Sequence, residues 1–148
     1  MKLIESKVEI IEQQPGLEGV YKQIELAARV CYKSEDKITE DSAKDFVTKM
    51  IGLTHYSTLE HGTIYLKYRA EYDVEAHSWN IPQNFFPFFF DRNPYSKVVK
   101  IESEDMCNWY ITTSLRVIIE NNLQECLQYV CEPTELHERR ITARFTCC

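Results

Sequence analysis

The sequence predicts a single domain of the α/β class, of the α+β type: mainly antiparallel sheet with packed helices. Three observations carry this. Residues 63–69 alternate, with Ile64, Leu66 and Tyr68 on one side, as a half-buried strand requires. Residues 137–148 alternate again, Ile141, Ala143, Phe145 and Cys147 against Arg140, Thr142, Arg144 and Thr146. Elsewhere the apolar residues recur mostly at helical spacing. A length of 148 residues suits one domain, residues 1–148. A chain of that size typically buries about 70% of its unfolded surface.

In order along the chain, residues 2–12 carry Val8, Ile10 and Ile11 and read as a strand. Pro15-Gly16 interrupts it, and Pro15 suits a helix start. Leu17, Val20, Tyr21, Ile24, Ala27 and Ala28 then trace a helix over 17–31, followed by a charged loop at 33–37. Thr39 is the expected N-cap of a second helix, with Glu40 and Asp41 in its first turn. Ala43, Phe46, Val47, Met50 and Ile51 form its apolar stripe, and Gly52 is the expected stop. The strand at 63–69 follows.

Residues 71–94 hold Trp79 and five phenylalanines, Phe85, Phe86, Phe88, Phe89 and Phe90, among Pro82 and Pro87. The prolines argue against a central strand or a long helix there, and the aromatics are expected to pack a loop onto the core or an interface. A short strand is expected at 95–101. A third helix, capped by Ser103, is expected to run through Met106, Trp109, Tyr110, Thr113 and Val117, with Ser114 and Arg116 facing solvent. Leu123, Cys126, Leu127 and Val130 give a fourth helix ending before Pro133. The last alternating stretch runs to the final residue without a turn or polar tail. The sequence therefore predicts a chain cut within its domain.

A net charge of −6 argues against a general nucleic-acid binder, which presents a basic face. No apolar run approaches a membrane span. The opening Met1-Lys2-Leu3-Ile4-Glu5 has no signal-peptide core. The six cysteines, Cys31, Cys107, Cys126, Cys131, Cys147 and Cys148, lack zinc-type CxxC pairing. A cytoplasmic protein with reduced thiols is expected, most of them small core residues.

The stretch that concentrates polar chemistry is His55-Tyr56-Ser57-Thr58-Leu59-Glu60-His61, between the second helix and the strand at 63–69. Loops at such junctions are where a scaffold presents functional groups. From spacing alone, the simpler account is a capping box, with Ser57 capping a short helical turn and Glu60 reaching back. Turn N–H groups that need a hydroxyl also suit an anion, so the two accounts are compatible. A metal site from His55, His61 and Glu60 lacks the HExxH spacing, and no third ligand stands out. No local signature marks a Cys/His nucleophile, and no glycine-rich phosphate loop occurs. His77 and His137 are expected at the surface. Arg29 sits where a helix C-terminus favours a cation.

Two segments resemble the N-terminal part of flavin-dependent thymidylate synthases. One is Ala27-Ala28-Arg29-Val30-Cys31-Tyr32; the other is the 55–61 stretch with its following strand. That family carries His-x-Ser/Thr-x-x-Glu-His between a helix and a strand. The resemblance spans residues 20–70 and returns at 142–148, while residues 71–137 look like an insertion.

The resemblance implies a homotetramer of α/β fold that binds FAD between subunits and methylates dUMP to dTMP. Methylenetetrahydrofolate supplies the carbon and NADPH the reducing equivalents. Ser57 would touch the flavin cofactor near its phosphates, and His55, Glu60 and His61 would shape that pocket; a pyrophosphate suits a hydroxyl beside turn N–H groups. No catalytic residue or metal ligand is assigned within the chain. The family's Arg-His-Arg-x-x-Ser signature is absent, and His137-Glu138-Arg139-Arg140 does not replace it, lying before the final strand rather than on a helix beyond it. The implied entity is an N-terminal portion, inactive alone. The alternatives are a non-catalytic binding or scaffold module of the same fold, and a small metal-dependent hydrolase using His55 and His61.

Overall fold

The computed structural model describes residues 5–82 and 87–146. The fold is α+β, helices with antiparallel sheets. Its elements are β1 (Lys7–Ile11), α1 (Gly16–Cys31), α2 (Ser42–Gly52), β2 (Thr63–Asp73), β3 (Ser78–Trp79), α3 (Pro87–Arg92), β4 (Lys97–Glu102), β5 (Met106–Ser114), α4 (Leu115–Glu120) and β6 (Thr142–Thr146). Short 3₁₀ turns lie at Glu35–Lys37, Tyr56–His61 and Gln124–Tyr129. One sheet has the order β3-β2-β5-β4; the other is the pair β1-β6.

The larger sheet replaces the expected third helix. Residues 106–114 are not helical but form β5, paired with β2 from Thr63↔Ser114 to Glu71↔Met106 and with β4 on its other side. As an inner strand it is covered on both faces: Cys107, Ile111, Thr112, Thr113 and Ser114 are fully buried. A strand buried on both faces loses its alternation and reads as a continuous apolar run, which spacing alone cannot tell from a helix. The aromatic and β-branched content, Trp109-Tyr110-Ile111-Thr112-Thr113, favours the strand. Its buried hydroxyls are satisfied: Thr112 Oγ1 accepts from the Glu138 amide at 2.9 Å, and Thr113 bonds Ser96 at 2.8 Å. Ser103 caps no helix. Its amide and hydroxyl both donate to the Met106 carbonyl, closing the β4–β5 turn.

Helix begins only at α4, where the buried Ser114 side chain accepts from the Val117 amide as N-cap. The expected fourth helix is the 3₁₀ turn Gln124–Tyr129. In the 71–94 region, β2 runs on to Asp73 and turns back to β3, with Asp73 Oδ1 accepting from the Glu75 and Ala76 amides. Of the aromatics, Phe90 is fully buried and Phe89 packs beside it, while Phe88 is exposed; Phe85 and Phe86 lie outside the described residues.

Both expected helices, α1 and α2, are present. Thr39 is not the cap of α2, however; Asp41 holds that position without a side-chain bond. Ser42 Oγ instead accepts from the Thr39 amide and donates to Glu25 Oε2, both at 2.9 Å. Glu25 is 1% exposed and also takes Nε and Nη2 of Arg29, at 3.1 and 2.9 Å. The Arg29 guanidinium lies 4.5 Å from the Phe46 ring centroid. Arg29 therefore does more than meet the helix end: it is half of a buried ion pair within α1 that meets α2 through Ser42 and Phe46. Sequence reasoning missed the pair, although the Glu25/Arg29 spacing of four was its signal.

The core lies between α1, α2 and the larger sheet, around Ile24, Val47, Leu59, Ile64, Leu66, Ile111 and Ile118. Gly62 locks the 56–61 turn onto α1. A Cβ there would lie 2.5 Å from Ile24 Cδ1 and 2.7 Å from Val20 Cγ1, so only glycine allows that approach.

In the small sheet, the register Val8↔Phe145 and Ile10↔Ala143 puts the apolar residues on one face. That face is the outward one: Val8 is 59% exposed and Phe145 71%. The polar face, Glu9↔Arg144, is tied inward by Arg144 Nη2 to Glu35 at 2.9 Å. Alternation tells that two faces differ, not which is covered. Cys147 and Cys148 lie outside the described residues.

Candidate functional site

Two helix ends converge to make the site. α1 closes with Ser34 N–H to Arg29 O at 2.9 Å and Lys33 N–H to Val30 O at 3.3 Å. α2 closes the same way, His55 N–H to Met50 O and Thr54 N–H to Ile51 O, both 3.0 Å. Each is a Schellman closure, which needs one left-handed residue. Those residues are Lys33 (φ 50°) and Thr54 (φ 57°), neither a glycine. Gly52, the expected stop, is merely the last helical residue. A β-branched residue held left-handed is strained, and such strain concentrates at functional positions.

The closures bring Tyr32 and His55 side by side, Tyr32 Oη to His55 Nδ1 at 3.1 Å. His55 then starts the 3₁₀ turn Tyr56–His61, itself the N-cap without a side-chain bond. The capping box is therefore not formed. Ser57 lies inside the turn rather than at its cap, its hydroxyl bonds no other protein group among the described residues, and Thr58 Oγ1 donates to the His55 carbonyl instead. Glu60 points to Arg116, with Nη1 to Oε2 at 3.4 Å.

These groups frame an open pocket of about 370 Å³ lined by Tyr32, Thr54, His55, Tyr56, Ser57, Arg116 and Glu120. Two of the four residues picked from sequence, His55 and Ser57, line it directly. Glu60 adjoins it through Arg116, and His61 is exposed and outside the lining. The residue that sequence reasoning missed is Arg116. Its Nε holds Glu120 Oε1 at 3.0 Å, and both carboxylates raise its already high pKa, Glu120 most. The helical reading of 103–120 hid it, because a helix there gives no reason for residue 116 to meet residue 60.

His137 departs from its expected surface position. It is buried rather than at the surface, 8% exposed, in T-shaped contact with the Tyr65 and Tyr110 rings. Its Nδ1 accepts from the Thr134 amide at 3.0 Å, so the ring proton sits on Nε2 and points to Leu66 O at 3.1 Å. The polar neighbours that suggested a surface position are its partners. Cys131 Sγ lies 3.9 Å from the same Nε2, but burial pushes that thiol up and the imidazole is engaged elsewhere, so the pair lacks an activated nucleophile. Cys107 and Cys126 are core residues as expected, whereas Cys31 is exposed.

A second hollow of about 800 Å³ lies between the β1–α1 connection and residues 130–141. The Gln13 side chain spans one wall, pairing with both N–H and C=O of Thr63 at 2.8 Å. Among the described residues, no three His, Cys, Asp or Glu side chains gather as a metal-binding group, and no helix is long and apolar enough to cross a membrane. No family model, curated protein or solved structure matches the chain.

Proposed function

We propose that the pocket holds the phosphate groups of a flavin nucleotide, and that the chain serves FAD-dependent methylation of dUMP to dTMP. Methylenetetrahydrofolate and NADPH are the co-substrates. The observation that carries this is the Ser57 hydroxyl, which bonds no other protein group among the described residues and opens with His55 into a pocket of nucleotide-fragment size. The sequence resemblance assigns the flavin phosphates to that same hydroxyl. His55, held by Tyr32, shapes one wall and Glu60 borders another. The flavin would carry the redox chemistry; the chain's own residues bind and orient it.

The reaction belongs in the cytoplasm, where thiols such as exposed Cys31 stay reduced. The homo-oligomer of the family reading, a tetramer, would cover the outward apolar face of β1 and β6. That same face also supports a second reading, a non-catalytic binding module. A metal-dependent hydrolase draws no support from the separate placement of His55 and His61.

The test is a fluorescence titration of the purified chain with FAD, then an assay with dUMP, methylenetetrahydrofolate and NADPH. FAD binding is expected without dTMP formation, because only one guanidinium among the described residues lines the pocket and two anionic ligands call for several. Absence of FAD binding overturns the reading. Appearance of dTMP, abolished by His55→Ala, overturns the inactivity of the chain alone.

A further inference from the structure

We propose that Arg116, from the stretch the resemblance leaves unassigned, is the residue that takes the ligand's phosphate charge in this pocket, and that it does so by exchanging Glu60 for phosphate. This rests on the flavin-nucleotide reading above and names the charge that reading lacks.

The need for such a residue follows from the pocket's electrostatics. It sits at the C-terminal ends of α1 and α2, where helix dipoles repel anions. Glu120 lines it and Glu60 adjoins it, adding two carboxylates. Neither the Ser57 nor the Tyr32 hydroxyl brings a positive charge. Among the described residues that line it, Arg116 is the only guanidinium or ammonium.

Its geometry suits an exchange. The bond to Glu120 is short, 3.0 Å, and made within α4 at the i,i+4 spacing. The bond to Glu60 is long, 3.4 Å, and both side chains are 40% exposed, the setting in which an ion pair is weakest. Nη2 has no partner among the described residues. Glu120 thus holds the stem end at Nε. The Nη1/Nη2 edge, once freed from Glu60, presents two parallel donors to phosphate oxygens. The backbone under it is fixed: Leu115 N–H donates to Gly62 O at 2.9 Å, and Leu115, Val117 and Ile118 are buried. The swing is confined to one side chain on a rigid element.

Equilibrium titrations of the whole chain with FAD, riboflavin and inorganic pyrophosphate test this, with melting curves to show that each variant folds. Arg116→Gln is expected to weaken FAD and pyrophosphate by about tenfold or more and to leave riboflavin, which has no phosphate, unchanged. Glu60→Gln is expected to tighten both phosphate ligands several-fold by removing the competing carboxylate. Arg116→Lys, which keeps charge but loses the fork, is expected to fall between. FAD binding that survives Arg116→Gln but is lost in Ser57→Ala overturns the Arg116 assignment and leaves the flavin reading standing. Pyrophosphate bound through Arg116 with no FAD binding overturns the flavin reading alone. Weaker binding in Glu60→Gln overturns the exchange, and no pyrophosphate binding by the unaltered chain overturns the assignment outright.

Discussion

The Tyr32 hydroxyl stands 3.1 Å from His55 Nδ1 and joins the ends of two helices that are 23 positions apart in sequence at this point. Tyr32 is half-exposed, so the bond contributes little to stability. Its effect is on the imidazole's orientation and tautomer. Tyr32→Phe is expected to change the melting temperature by no more than a few degrees while shifting the His55 ring nitrogen signals in NMR. Unchanged signals would mean that the pair forms no bond in solution.

Ser57→Ala separates a ligand-binding hydroxyl from a capping one. Loss of a working cap costs about 1 kcal/mol of stability. Ser57 caps nothing, so the variant's stability is expected to match the parent's. FAD affinity is expected to drop by about 1.5–3 kcal/mol, the worth of a hydrogen bond to a charged group. A fall in urea midpoint with intact FAD affinity is the contrary outcome.

Glu25→Ala should be the most damaging single change in the helical half. It strands the Arg29 guanidinium, whose side chain is only 14% exposed, and removes the bond from Ser42 that ties α2 to α1. Removing one partner of a buried pair costs about 3–5 kcal/mol. Urea unfolding of Glu25→Ala and of the double variant Glu25→Ala/Arg29→Met measures the coupling. The double variant is expected to recover part of the loss, since it leaves no buried charge.

Burial pushes the Cys107 and Cys131 thiols above their ordinary value of 9.0. The folded state then holds those protons more tightly than the unfolded chain. Their contribution to stability is complete below the unfolded value and is lost as pH rises through the raised folded values. The urea midpoint is expected to fall above about pH 9, and less steeply in Cys131→Ala. At neutral pH, exposed Cys31 should alkylate before either. Equal alkylation rates would contradict the burial.

The outward face of β1 and β6 predicts self-association. A two-stranded sheet is marginal alone, and contiguous apolar surface marks an interface. Sedimentation equilibrium is expected to show oligomers that Phe145→Lys dissociates without unfolding. A monomer at high concentration would remove the prediction's basis.

The sequence by itself determined α1, α2, β2 and β4 closely, because their apolar spacing and the breaks that bound them are local signals. It also singled out His55 and Ser57, since a polar cluster between helix and strand is visible at short range. It did not reveal β5, whose two buried faces erase the alternation that marks a strand. Tertiary structure alone decided that the Glu25–Arg29 pair is buried and bound to Ser42, and that His137 lies buried against Leu66. It alone decided that the apolar side of β6 faces outward. Arg116 shows the reason most plainly: its neighbour Glu60 is 56 residues away. Only the pairing of β2 with β5, and the helix that Ser114 then caps, brings the two together.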